Sequence, residues 1–163
     1  LPECKIEVLI PDFQEHGLRL VLRARPDVLN HNIETVRRIF HGIRPKGDYD
    51  YSLKLLQRVK EMNPAMVTKS GIMVGLSESW DEILETLADL RAVGCDLLTI
   101  GQYLRPSQNH VAIHRFYTPQ EFSELREEGL RLGFRHVAAG PLVRSSYHAD
   151  EQHSAASQIL AYG

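Results

Sequence analysis

Met66-Val67-Thr68-Lys69-Ser70-Gly71-Ile72-Met73-Val74-Gly75-Leu76-Ser77-Glu78-Ser79-Trp80-Asp81-Glu82 decides the fold. Met66–Val74 is an apolar run of strand length, the glycine at its end suits a tight turn, and a helix start follows at once. Ser79 and Glu82 have the spacing of a capping box, in which each side chain satisfies a backbone N–H of the other residue. Trp80, Ile83, Leu84, Leu87 and Leu90 then recur at helical spacing on one face, and Gly94 suits the left-handed backbone that stops a helix. A further apolar run, Leu97–Leu104, follows. Strand, helix and strand in that order need a crossover, so the two strands run parallel.

The same unit recurs on both sides. Lys5–Ile10 and Val28–Asn32 precede it as candidate strands, and His136–Val143 follows. Leu55, Leu56 and Val59 mark a helix over Tyr51–Met62. Thr118-Pro119-Gln120-Glu121 offers a second capping box with proline in the first turn, continuing through Phe122, Leu125, Gly129 and Leu132 to Gly133. Regular alternation predicts an α/β fold with a parallel sheet. Such a sheet, closed on nothing else, leaves exposed edges, which a partial barrel completed by further units would cover.

Bulk properties narrow the function. A chain of 163 residues buries one good core. Its net charge of −2 gives no electrostatic footprint for nucleic acid or an anionic membrane. The apolar runs are too short to cross a bilayer as helices, and the N-terminus lacks the pattern of a signal peptide. Cys4 and Cys95 are the only cysteines and stand far apart, so a zinc or iron–sulfur site built from this chain alone is not expected. Two lone cysteines fit a reducing compartment, or serve as two small buried hydrophobes. Because the chain begins with Leu and enters a strand almost at once, a processed N-terminus or a piece of something longer is expected.

Four segments carry a resemblance: Asn30-His31-Asn32-Ile33-Glu34-Thr35, Lys69-Ser70-Gly71-Ile72-Met73-Val74-Gly75, Gly101-Gln102-Tyr103-Leu104 and Arg144-Ser145-Ser146-Tyr147-His148-Ala149. Together they resemble lipoyl synthase, of the radical S-adenosylmethionine (SAM) enzymes, from about Ile6 to about Asp150. The resemblance implies a partial parallel (β/α) barrel of the radical SAM type, comprising strands three to six plus a C-terminal extension. Residues 1–105 would form the C-terminal part of the half-barrel, 106–152 the extension with a cluster-ligand motif, and 153–163 a flexible tail. The implied activity is insertion of two sulfurs into an octanoyl group held on a lysine of a carrier protein, in lipoate biosynthesis. The implied cofactors are SAM and two [4Fe–4S] clusters. The implied partners are an octanoylated lipoyl-carrier domain or H protein, and an electron donor such as a ferredoxin or flavodoxin. The implied location is the cytoplasm, or an organelle in a eukaryote. Neither cysteine triad of the family occurs in this sequence, so the chain alone is expected to be inactive.

In barrel-like sheets ligands collect at the C-terminal strand ends. Asn32 shares a face with Asn30 and Val28 by two-residue alternation, and Glu34 continues that row if the extended path persists. Read without the resemblance, Asn32 caps a helix containing Val36, Ile39 and Phe40. Gly71, Gly75 and Glu78 match a G-x-x-x-G-x-x-E pattern that supports the adenine region in the resembling family; elsewhere such glycines form turns. Lys69 and Ser70 lie just before it, and parity leaves open which of the two faces inward. By resemblance Asn32, Glu34, Lys69, Ser70, Gly71, Gly75, Glu78 and Gln102 bind SAM. The resemblance also implies that Ser146 ligates an iron of the auxiliary cluster, with Ser145 the near alternative. A hydroxyl is a weak ligand for iron–sulfur chemistry, which suits an iron that must let go.

Other clusters are plainer. His110 and His114 have a spacing that could hold a metal on a helix, but sit in a stretch without helical pattern and read as loop residues. Asp48 and Asp50 read as turn and cap chemistry. Competing accounts are another radical SAM half-barrel, a non-catalytic module that needs an N-terminal partner, and a phosphate-binding α/β domain using Gly75-Leu76-Ser77 at a helix N-terminus.

Overall fold

The computed structural model describes residues 4–146; the suggested tail over 153–163, and Tyr147, His148 and Ala149, lie outside the described residues. In chain order the elements are β1 (Glu7–Leu9), α1 (Glu15–Arg23), β2 (Val28–Asn30), a 3-10 turn (Arg37–Ile39), α2 (Phe40–Ile43), α3 (Tyr49–Met62), β3 (Val67–Val74), α4 (Trp80–Ala92), β4 (Leu97–Gln102), α5 (Pro119–Arg131) and β5 (His136–Gly140). All neighbouring strands are parallel, and the sheet order β1-β2-β3-β4-β5 follows the chain. An order that never reverses is that of a barrel wall rather than of a doubly wound sheet. The fold is therefore a partial (β/α) barrel, and the stretch read as a C-terminal extension adds α5 and β5 to the same sheet.

Local chemistry explains the element ends. Ser79 with Glu82 and Thr118 with Glu121 both form complete capping boxes. Gly94 (φ +81°) and Gly133 (φ +95°) take the left-handed conformation that ends α4 and α5. Asp48 caps α3 by accepting the Tyr51 N–H at 2.7 Å. Asp50 pairs with Arg37 at 2.7 Å. Four strands, β1, β2, β4 and β5, stop earlier than their apolar runs suggest, β5 by the most. β5 ends before Pro141, which has no N–H for the ladder, and Val143 folds back to the Gly140 carbonyl at 3.1 Å. Helix α1 has only nine residues and no side-chain cap, so its stripe gives a weak signal.

The two faces of the sheet differ sharply. On one, Ile72, Val74, Leu98, Ile100 and Val137 pack against Leu53, Leu56, Ile83, Leu87, Phe122 and Leu125 of the helices. Leu18 of α1 joins Ile10, Leu29, Leu55 and Val59 in a second cluster. On the other face, Val28, Val67 and Leu97 make a small apolar layer near the N-terminal strand ends. The next positions along those strands are polar: Lys69, fully buried, meets both Glu7 oxygens at 3.0 and 3.1 Å, and Asn30 donates to Glu7 at 3.0 Å. Ion pairing supports a lysine that burial pulls below its ordinary pKa.

Cys95 lies in the main core and burial pushes its thiol up to about 12, whereas Cys4 is exposed. Thiolate is the reactive form. An alkylating reagent at pH 8 is expected to label Cys4 and to spare Cys95 until denaturant is added, as peptide mass mapping would show.

Candidate functional site

At the C-terminal ends of the strands lies a cavity of about 200 Å³, lined by Asn32, Glu34, Gly71, Ile72, Met73, Thr99, Gly101, Gln102, Leu104, Val143, Arg144 and Ser145. It is smaller than the roughly 300–1,000 Å³ that encloses a drug-sized ligand, so these residues make a wall and part of a floor.

Its shape comes from two glycines. A Cβ on Gly71 would stand 2.8 Å from both Asn32 Oδ1 and Thr99 Oγ1; one on Gly101 would stand 2.4 Å from the Val143 backbone oxygen. Both positions bring other groups against the bare sheet. The parity left open by the sequence is settled. Lys69, Gly71, Thr99 and Gly101 share the cavity face, while Ser70 points the other way and accepts the Ile33 N–H at 3.1 Å.

Asn32 and Glu34 face the cavity, but not by simple extension. The chain after β2 stays against β3 through His31 N–H to Lys69 O (3.0 Å), Glu34 N–H to Gly71 O (3.0 Å) and Met73 N–H to Glu34 O (2.8 Å). Glu34 itself sits at φ +71°, a conformation that costs a non-glycine residue about 1–3 kcal/mol. Asn32 caps no helix: the 3-10 turn has Val36 at its N-cap position and no side-chain cap. Its Oδ1 is buried with no hydrogen-bond partner, which is costly unless a ligand supplies a donor. Burial pushes the Glu34 carboxyl above the usual carboxylate range, against the opposing influence of the Asn32 side chain and the Arg44 charge.

The remaining sequence candidates are placed as follows. Gln102 borders the cavity, yet its amide donates to the Tyr103 and Arg115 carbonyls (both 3.1 Å) and accepts the Tyr117 N–H (3.0 Å), tying down the loop after β4. Glu78 clamps the turn after β3, accepting the Gly75 and Leu76 N–H groups at 2.6 and 2.7 Å. Those amides are thereby occupied, which removes the main support for a phosphate cradle there. Lys69 lies on the cavity face but is held by Glu7; Gly75 belongs to the turn. Ser145 lines the cavity, whereas Ser146 is exposed and outside the lining. His110 and His114 are exposed loop residues.

Reasoning from sequence missed Thr99 and Met73, though alternation from Gly101 and Gly71 places both on the cavity face. It also missed Asp12 and Arg44, which meet at 2.9 Å behind Asn32; no local pattern announces a pair so far apart in the chain.

The donor set bears on what fits. Asn32 Oδ1, the Glu34 carboxylate and the glycine-lined floor suit a ligand with an amine and a flat ring, as SAM has. The described donors do not hold an iron–sulfur cluster by themselves: among the described residues no three His, Cys, Asp or Glu are grouped to hold a metal, and Cys95 is sealed in the core.

The family described as the Radical SAM superfamily matches residues 1–90. The curated relatives that this chain matches include proteins named lipoyl synthase. That of Caldanaerobacter subterraneus subsp. tengcongensis is 55% identical over 92% of this chain and 54% of its own length. That of Koribacter versatilis is 54% identical over 98% and 53%. That of Symbiobacterium thermophilum is 58% identical over 93% and 48%. The chain thus spans about half the length of the curated relatives it matches.

Proposed function

The chain belongs to the Radical SAM superfamily, and from that premise we propose that it forms the SAM-facing part of a lipoyl synthase. One observation carries the reading: residues from separate strand ends, Asn32, Glu34, Gly71 and Gln102, border a single cavity whose wall also includes Ser145. The identity to proteins named lipoyl synthase over 92–98% of the chain supports this reading within the superfamily.

In this reading Asn32 Oδ1 and the Glu34 carboxylate take the ligand's amine, and the Gly71 floor admits its flat ring. Glu78 and Gln102 keep the turn and loop around the ligand rigid, and Lys69 and Ser70 act from beneath. When bound, SAM supplies one-electron radical chemistry that no side chain offers. The substrate is an octanoyl group on a carrier-protein lysine, and the electron donor a small redox protein. The cysteine ligands of the clusters would come from the part of a lipoyl synthase that these residues do not match. Of the two serines, Ser145 takes the role of hydroxyl ligand, because it alone borders the cavity; this reverses the preference read from sequence.

Reconstituted whole enzyme tests the assignment. Ser145→Ala is expected to abolish lipoyl product, read by mass spectrometry of the carrier, while SAM consumption continues; Ser146→Ala should retain product. Loss of product in Ser146→Ala alone contradicts the serine assignment. Full product formation by Asn32→Ala and Glu34→Ala, with unchanged SAM affinity, contradicts the cavity.

A further inference from the structure

The segment His31–Glu34 is strained at Glu34, bears two of the polar groups that line the cavity, and must therefore be held by something outside itself. Part of the hold comes from β3: the Lys69 carbonyl, the Ser70 hydroxyl and the Gly71 carbonyl take the N–H groups of His31, Ile33 and Glu34 in turn, at 3.0, 3.1 and 3.0 Å. The Asn32 carbonyl is carried differently, by Arg44 Nη1 at 3.3 Å. Arg44 Nη2 is in turn fixed by Asp12 Oδ2 at 2.9 Å, and its guanidinium lies 5.5 Å from the centre of the Phe40 ring. The other Asp12 oxygen stands 3.2 Å from Nε2 of the buried His31, whose Nδ1 is 3.0 Å from the Ile10 carbonyl. Both Arg44 and Asp12 are mostly shielded, with side chains 24% and 30% exposed, so the pair is not a loose surface contact.

We propose that Arg44, locked in place by Asp12, is a positioning residue that holds the Asn32–Glu34 turn in its ligand-binding geometry. The inference rests on the reading of the cavity as a SAM site. A planar guanidinium serves two acceptors at once, here a backbone carbonyl and a carboxylate, in a way that a lysine ammonium on a flexible stem does not. Its charge also favours the ionised Glu34 that burial opposes. The charged or titratable groups around this turn are Asp12 after β1, His31 beside Asn32, Arg44 after α2, Arg144 on the cavity wall, and Lys69 of β3 with its partner Glu7.

Equilibrium binding of SAM to the whole protein, measured across pH, tests this. Arg44→Met is expected to weaken binding about ten- to hundredfold, as loss of a hydrogen bond from a charged donor does. Removing the cation also removes an influence that lowers the Glu34 pKa. The pH below which binding is lost should therefore move upward. Arg44→Lys should leave that pH near its wild-type position while recovering only part of the affinity. Should Arg44→Met fail to fold, Asp12→Asn frees Arg44 and is expected to weaken binding in the same direction. Wild-type affinity and pH profile in the variant that folds would overturn the inference. So would equal losses in Arg44→Met and Arg44→Lys that simply follow their melting temperatures. If the wild-type protein itself binds no SAM, the cavity reading falls and takes this inference with it, an outcome distinct from binding that ignores Arg44.

Discussion

Asp96→Ala is expected to destabilise the protein by about 3–5 kcal/mol, the cost of breaking a buried ion pair by removing one partner. The Asp96 side chain is 7% exposed and stands at the entry to β4, at the end of the sheet away from the cavity. One oxygen meets Lys60 and accepts the Thr68 N–H at 2.9 Å; the other lies 3.2 Å from Arg135 Nε. It thus ties α3, β3, β4 and the approach to β5 together. Alanine would leave the mostly shielded Arg135 and a buried N–H without this acceptor, and Lys60 with only the Met66 carbonyl. Urea unfolding followed by circular dichroism measures the loss. A change below 1 kcal/mol would mean that the cations find other partners. Because this network faces away from the cavity, ligand affinity in the folded fraction should be unchanged.

Gly75→Ala should cost about 3 kcal/mol or more, from backbone strain together with overpacking. Gly75 sits at φ +101°, where a side chain is disfavoured, and an added Cβ would stand 2.3 Å from Gln102 Nε2 and 2.5 Å from the Arg115 carbonyl oxygen. The amide end of Gln102 is able to swing aside, but only by releasing the Tyr103 and Arg115 carbonyls; the backbone oxygen has no such freedom. Loosening this corner also frees the loop that follows β4, so affinity for a cavity ligand should fall with stability. Gly42→Ala is the control: nothing lies within 4 Å of its Cβ position, and it is expected to change stability by less than about 1 kcal/mol. Equal effects at the two glycines would show that space and conformation at Gly75 do not matter.

How far the sequence carried the fold depended on whether its signals were local. Capping boxes at Ser79 and Thr118, and the glycine stops at 94 and 133, are written in a few adjacent residues, and the structure has each of them. Five apolar runs became five strands, since alternation and length act within each run. The cavity residues were less legible. Alternation put Asn32 and Glu34 in one row and the resemblance favoured that row over a helix cap, but Glu34 keeps its place through a left-handed backbone that alternation does not anticipate. Ser70 shows the same limit: parity pairs it with Ile72, but only packing decides which row meets the helices. Asp12 and Arg44 were invisible, because their meeting depends on how β1 and the segment after α2 come together in space. Ser145 and Ser146 share composition and neighbourhood, and the turn after β5 decides which borders the cavity.

Amide hydrogen exchange read by mass spectrometry, with and without saturating SAM, tests the central claim most directly. The account predicts that added ligand slows exchange in the peptides covering 32–34, 71–76 and 101–104, and leaves the groove between α1 and the end of α3, lined by His16, Arg19 and Met62, unchanged. Protection confined to that groove, or to the pocket formed by Arg37, Arg38 and Glu82, would contradict it.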